Sequence, residues 1–280
     1  MQDIRIALPH LTITGIQFGQ TDKPLVLALH GWLDNAATFT HLAPMLEDYC
    51  VVALDLPGHG MSSHRSPDAH YHQMDFVQDI HACVVEQGWS DVILLGHSMG
   101  GILGSIYAAV FPERVKCLIS IEAFGPLTEH ASTSTDQLRR SIESRLSMAH
   151  REAKHPEDFE SAVRARALAG DMGREAARIL VERNIEEREG QLSWRTDRRL
   201  RTISSLRLTE EQAEAILNGI ACPMLLIHGE QGFEKVKANA ERRQGWVKSL
   251  TRTTCPGGHH LHLEAPLDVA EQIIYFLNNQ

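Results

Sequence analysis

Ser98 stands in Gly96-His97-Ser98-Met99-Gly100, a G-x-S-x-G string that directly follows the apolar run 92–95 and opens a helix-like segment. A serine on so sharp a strand-to-helix turn is forced into a strained backbone conformation. Side chains two residues to either side would collide with that turn, which accounts for Gly96 and Gly100. The turn lifts the hydroxyl to the carboxyl edge of a sheet, where the Met99 N–H and the helix N-terminus face a developing oxyanion. Such a serine does nucleophilic chemistry, but its hydroxyl is weak at neutral pH and needs a positioned base. Of the 16 histidines, His259 fits best. With a nucleophile of this kind the histidine comes last in the chain, in a loop after the final strand. Gly257-Gly258-His259-His260-Leu261-His262 occupies that place. His260 is the second candidate, and His262 reads as a packing residue.

His30-Gly31-Trp32 closes the apolar run 25–29. It supplies a second oxyanion donor, the main-chain N–H of Trp32, while His30 reads as a hydrogen-bonding residue beneath the loop. Asp55-Leu56-Pro57-Gly58-His59-Gly60 follows the next run, its proline and glycines shaping a tight loop in which Asp55 is structural. The pairs His260/His262 and His70/His72 invite a metal, yet no third and fourth ligands can be named, so no catalytic metal is expected.

The elements that must hold these residues are legible. Apolar runs at 25–29, 50–54, 92–95, 115–121 and 224–227 suit buried parallel strands. Helix-like segments at 36–46, 71–87 and 99–110 lie between them, which predicts a mostly parallel sheet, eight-stranded in all, with helices on both faces. Ahead of these, residues 4–8 and 11–18 alternate apolar with polar and predict an antiparallel hairpin at the sheet edge. From 126 to 218 strand-like runs vanish and helical patterns appear at 137–150, 159–168 and 174–189. That stretch holds 16 of the 27 basic residues beside 17 acids, so its faces are mixed. It reads as a helical cap inserted into a core formed by 1–125 and 219–280, whose last strand (248–254) and helix (266–277) close the fold.

A net charge of −9 with no long basic run excludes nucleic acid as the expected partner. Five scattered cysteines, without CxxC or Cys/His spacing, read as buried thiols of a reducing, cytoplasmic compartment. The start lacks the pattern of a secretory leader. The uncharged run 92–112 has the length of a membrane span, but its glycines divide it into a strand and a helix.

The strings His30-Gly31-Trp32, Asp55-x-Pro57-Gly58-His59-Gly60, Gly96-His97-Ser98-Met99-Gly100-Gly101 and Gly258-His259 together resemble the α/β-hydrolase superfamily over nearly the whole chain. The longer string from His30 to Phe39 is similar to its serine hydrolase-like, kraken-type branch. The resemblance implies a serine hydrolase. In most of the superfamily the triad acid would follow the run 224–227 at the place that is Gly232 here. Glu230 is near but misplaced by two. Some relatives carry the acid one strand earlier, which is Glu122 in this chain, and Glu122 is favoured over Glu230. The expected activity is cofactor-independent hydrolysis of a small or lipid-like carboxylic ester through an acyl-enzyme, as by a carboxylesterase or lipase-like enzyme. Phe39, Phe124 and Trp32 are expected to give the pocket an apolar wall. A ligand receptor that keeps the triad with little turnover is the alternative from another class, and a cofactor-free peroxidase-like or C–C bond hydrolase is the alternative within enzymes.

Overall fold

The computed structural model describes residues 1–280. It opens with a hairpin of strands β1 (Gln2–Ala7) and β2 (Thr12–Phe18), followed by β3 (Leu25–Leu29) and β4 (Cys50–Asp55). Helix α1 (Gln73–Glu86), β5 (Val92–His97), α2 (Met99–Val110) and β6 (Val115–Ile121) complete the first half. Next come α3 (Ser134–Ala149), α4 (Phe159–Gly170), α5 (Arg174–Asn184), β7 (Ile185–Arg188) and β8 (Gln191–Trp194). The chain ends with α6 (Glu210–Asn218), β9 (Met224–Gly229), α7 (Glu234–Arg243), β10 (Leu250–Cys255), the short α8 (Leu261–Glu264) and α9 (Pro266–Asn278).

Eight strands form one sheet in the order β1-β2-β4-β3-β5-β6-β9-β10. Only the β1/β2 and β2/β4 pairs are antiparallel. Successive side chains of a strand point to opposite faces, so a strand covered on both sides must be apolar throughout. Leu27, Val52 and Leu94 enter one core, beneath α1 and α2. Val26, Val51 and Ile93 enter the other, which α9 covers through Val269 and Ile273. The sheet of the sequence reading is therefore present, hairpin included.

Three local expectations are corrected. The helix at 36–46 is two short 3₁₀ turns, Ala36–Phe39 and Ala43–Met45, with Pro44 starting the second. Asn35 caps the first turn by accepting from the Ala37 N–H at 3.0 Å. The helical pattern at 174–189 stops at Asn184. The chain then turns through Glu189 (φ +52°) and Gly190 (φ +78°) to make the β7/β8 hairpin, so the inserted stretch is not purely helical. Helix α6, within the expected cap bounds of 126–218, packs instead against α2 and buries Leu217 in the first core. The uncharged run becomes β5 and α2, and no helix is long and apolar enough to cross a membrane.

The inserted stretch has a small core of its own, in which Val163, Leu180 and Val181 pack with Leu263 of α8. It is tied down electrostatically at Arg183 of α5. That guanidinium donates through Nε to Asp55 at 2.9 Å, reaches Asp3 at 2.7 Å through Nη1, and is almost wholly buried.

Candidate active site

The ends of β3, β5, β6 and β9 and the loop after β10 converge at the carboxyl edge of the sheet. Ser98 joins β5 to α2 with φ +51° and ψ −115°, and its N–H donates to the Ile121 carbonyl at 2.8 Å. A Cβ at Gly96 would stand 2.4 Å from the Gly100 carbonyl carbon, and one at Gly100 only 1.9 Å from the Leu29 oxygen. No side chain fits at either place: at Gly96 it would meet the turn itself, while at Gly100 it would meet the end of β3 rather than the turn.

Glu122, just past β6, also has a left-handed backbone, with φ +54°. A non-glycine residue held there costs on the order of 1 kcal/mol and marks a place the surroundings over-determine. Its buried carboxylate accepts from the Gly229 N–H at 2.8 Å, the Phe233 N–H at 3.0 Å and His259 Nδ1 at 3.2 Å. Burial alone would push that carboxyl up, but the bonds from His259, Gly229 and Phe233 hold it below the ordinary carboxylate value. A Cβ built on Gly232 would lie 2.2 Å from Glu122 Oε1, so the carboxylate fills the space that a side chain at 232 would enter. The ring of Phe233 stacks on His259, with centroids 4.0 Å apart and planes 18° apart. Glu230 is exposed, and its carboxylate meets only the Gln231 amide, at 3.5 Å.

Behind His259 lies a second polar cluster. His97 Nε2 donates to the His259 carbonyl at 2.8 Å, and its Nδ1 faces Asp34 Oδ2 at 3.6 Å. His260 Nε2 faces the same oxygen at 3.4 Å, so His260 turns to Asp34 while His259 turns to Glu122. Arg166 of α4 pairs with the other Asp34 oxygen. Burial lowers the His97 pKa to about 4 despite its contact with Asp34, so the ring is neutral near pH 7. Burial would raise the Asp34 carboxyl, yet contacts with His260, His97 and Arg166 hold it well below the usual range. Asp34, His97 and His260 place one ligand atom each within 4.8 Å of one another, a three-point set that could hold a cation. His262 is buried beside Thr38, its Nε2 2.7 Å from Oγ1. His30 accepts the Leu56 N–H at 3.0 Å, and Asp55 accepts the Ala36 N–H at 2.8 Å, both bracing loops from within.

Met99 is the first residue of α2, where main-chain N–H groups have no partner inside the helix. Trp32 is half exposed, and its indole N–H donates to the Leu200 carbonyl at 2.9 Å, bringing the inserted stretch against the loop after β3. Ser98, Trp32 and His259 all line one open cavity of about 1680 Å³, walled on its far side by α3, α4 and the β7/β8 hairpin. Only 10 of its 38 lining residues are hydrophobic. Two of the residues expected in its apolar wall are corrected. Phe39 and Phe124 are buried in the two cores below the site, and of the three aromatics only Trp32 reaches the cavity.

Sequence reasoning assigned nothing to Asp34, Phe233 or Arg166. Asp34 lies inside the string from His30 to Phe39, two residues past Trp32, and that position was the one available signal.

The chain belongs to the α/β-hydrolase fold family, whose model matches residues 24–266. Over 99% of its length it is 33% identical to the "Probable serine hydrolase" of Drosophila melanogaster, covering 87% of that protein. It is 28% identical to the "Serine hydrolase-like protein" of Danio rerio, covering 99% of this chain and 89% of that one. Among solved structures it is similar to a hypothetical protein from Pseudomonas aeruginosa PAO1, with a TM-score of 0.94 and 36% identity over 99% of this chain and 100% of the other. It is also similar to the thioesterase domain from the curacin biosynthetic pathway, with a TM-score of 0.83 and 28% identity over 98% and 99% of the two chains.

Proposed function

We propose that this α/β hydrolase cleaves carboxylic esters through an acyl-enzyme, with Ser98, His259 and Glu122 as its triad and the stretch from 126 to the turn before α6 as its cap. The observation that carries this reading is the contact of His259 Nδ1 with the buried Glu122 carboxylate at 3.2 Å, on a ring that shares a cavity with Ser98. A carboxylate at Nδ1 fixes the tautomer with its lone pair on Nε2, the form able to take the serine proton, and then stabilises the imidazolium. Ser98 Oγ attacks the ester carbonyl as His259 takes its proton, and the N–H groups of Trp32 and Met99 hold the oxyanion. Collapse breaks the carbon–oxygen bond to the alcohol, which leaves with the proton from His259. Water, deprotonated by the same ring, then releases the acid and restores Ser98. No step requires a metal or cofactor, because each role falls to a side chain or main-chain N–H.

The test is labelling with a fluorophosphonate, followed by rates on a series of p-nitrophenyl esters. Labelling of wild type but not Ser98→Ala, with turnover of at least one ester, is the expected result. An unlabelled wild-type protein overturns the mechanism. Labelling without turnover across the series favours a receptor.

A further inference from the structure

The cavity is charged against the trend of the molecule. The chain carries a net −9, yet the residues lining the cavity include eight Arg and Lys against four carboxylates. Two of those carboxylates are already engaged, Asp34 with Arg166 and Asp197 with Arg199. The other two, Glu152 and Glu157, sit on the exposed turn between α3 and α4. Five of the eight cations have no carboxylate of their own: Arg145 and, all exposed, Arg151, Lys154, Arg198 and Arg201. Arg145 of α3 binds the Ser205 hydroxyl through Nη2, and its buried Nε has no partner. The exposed Arg201 side chain makes no hydrogen bond or ion pair with the protein. It follows Leu200, whose carbonyl is held by the Trp32 indole at 2.9 Å, so its backbone is fixed beside the loop expected to bear an oxyanion donor. Partial desolvation, then the nearby Arg166 charge, lower the Arg201 pKa from the ordinary guanidinium value, and an anion would relieve both penalties.

We propose that the ester substrate carries an anionic group, a carboxylate or a phosphate monoester, which Arg201 binds in this cavity while Ser98 attacks the ester carbonyl. The inference rests on the ester-hydrolase reading and adds the substrate class to it. An arginine fork matches the paired oxygens of either anion, and a walled cleft with an excess of positive charge concentrates such ligands. Arg145 and Arg166 add to the field, with Arg166 itself anchored to Asp34.

The experiment compares the mono-p-nitrophenyl ester of glutaric acid with its methyl-capped neutral counterpart, at low and high salt. The expected kcat/KM ratio favours the anionic ester by roughly tenfold or more, the scale of one charge-assisted hydrogen bond, and shrinks with salt. Arg201→Gln should lower that ratio at least fivefold, acting through KM, and Arg201→Lys should restore part of it. In parallel, glutarate and inorganic phosphate are titrated calorimetrically into Ser98→Ala, which binds without turnover. Tighter binding of one anion identifies its source chemistry, and loss of binding in the Ser98→Ala/Arg201→Gln pair supports the site. Ester turnover with fluorophosphonate labelling but no preference for the anionic ester overturns the anion subsite and leaves the hydrolase standing. Binding of neither anion overturns it as well, whatever the labelling shows. Anion binding by a protein that labels with no fluorophosphonate overturns the hydrolase reading instead.

Discussion

Glu122 and Gly232 compete for one volume, and that competition can be used to move the acid. Glu122→Gly removes the carboxylate while giving the φ +54° position a residue that tolerates it. The expected loss in kcat is about 10⁴, the scale of a triad whose histidine is left in the wrong tautomer, which corresponds to roughly 5.5 kcal/mol. Gly232→Asp alone should also be poor, since its Cβ would stand 2.2 Å from Oε1 and 2.6 Å from Cδ of Glu122. Combined, the two changes are complementary. The oxygens of an aspartate lie roughly 2.4 Å from their own Cβ by ordinary bond lengths. Glu122 Oε1 and Oε2 stand 2.2 and 2.7 Å from the Gly232 Cβ position, so Glu122→Gly/Gly232→Asp places a carboxylate close to the one removed. It should recover at least about 10² of the 10⁴ lost. The assay is kcat on a p-nitrophenyl ester, with thermal melts to show that each variant folds. A double variant no faster than Glu122→Gly, or a Gly232→Asp single as fast as wild type, would refute the idea that the two positions serve one site.

Ser98→Ala should lower kcat on the order of 10⁶-fold, measured against a labelled wild-type control, the loss expected if the proposed triad acts as a unit. Stability should fall with acid through the buried histidines. His59 and His97 are fully buried, with pKa values lowered by burial to about 3 and about 4 from 6.5. The unfolded chain therefore takes up more protons than the native one between pH 6.5 and 4. Stability is complete above 6.5 and is lost through that window, on the order of 3 kcal/mol per histidine. Urea midpoints at pH 7.5 and 5.0 check it, and His59→Gln should flatten the slope. A chelator should leave ester hydrolysis unchanged. A loss of rate restored by zinc would point to a metal, with Asp34, His97 and His260 as the set to mutate.

The features that were legible in the sequence are local ones. Gly96 precedes Ser98 because of a clash within the turn itself, and the alternation in β1 and β2 lies within each strand, whereas Gly100 is required by the end of β3. The acid is different in kind. The identity proposed for it depends on whether the chain near 232 leaves room for a carboxylate arriving from β6, a fact about two segments far apart, so the sequence could only favour Glu122 over Glu230. The structure brings Glu122 to His259 and leaves Glu230 in solvent. Asp34 was illegible for the same reason, since its partners come from α4, β5 and the loop after β10. The β7/β8 hairpin was hidden by Arg and Glu spacing that continues the helical pattern of α5, with only Glu189-Gly190 to mark the turn. Phe39 and Phe124 misled because nearness to motif residues in sequence says nothing about which side of the sheet edge a ring occupies.

The Arg183 anchor also sets an order of assembly on the ribosome. Asp55 is fully buried in the finished fold, and its guanidinium partner is polymerised 128 residues after it. At about 5 to 20 residues per second, that carboxylate waits roughly 6 to 26 s for its counter-charge, and Asp3 waits longer still. The early edge strands can pair meanwhile, but they reach their final electrostatic state only once α5 has emerged. The same dependence divides the molecule differently from its layers. A core expressed without the inserted stretch would keep every strand of the large sheet and lose the charge that neutralises its interior. Removing one partner of a buried ion pair costs about 3 to 5 kcal/mol, a large part of what holds a domain folded. Excision or grafting of the inserted stretch should therefore succeed only if Asp55 is neutralised in the same step.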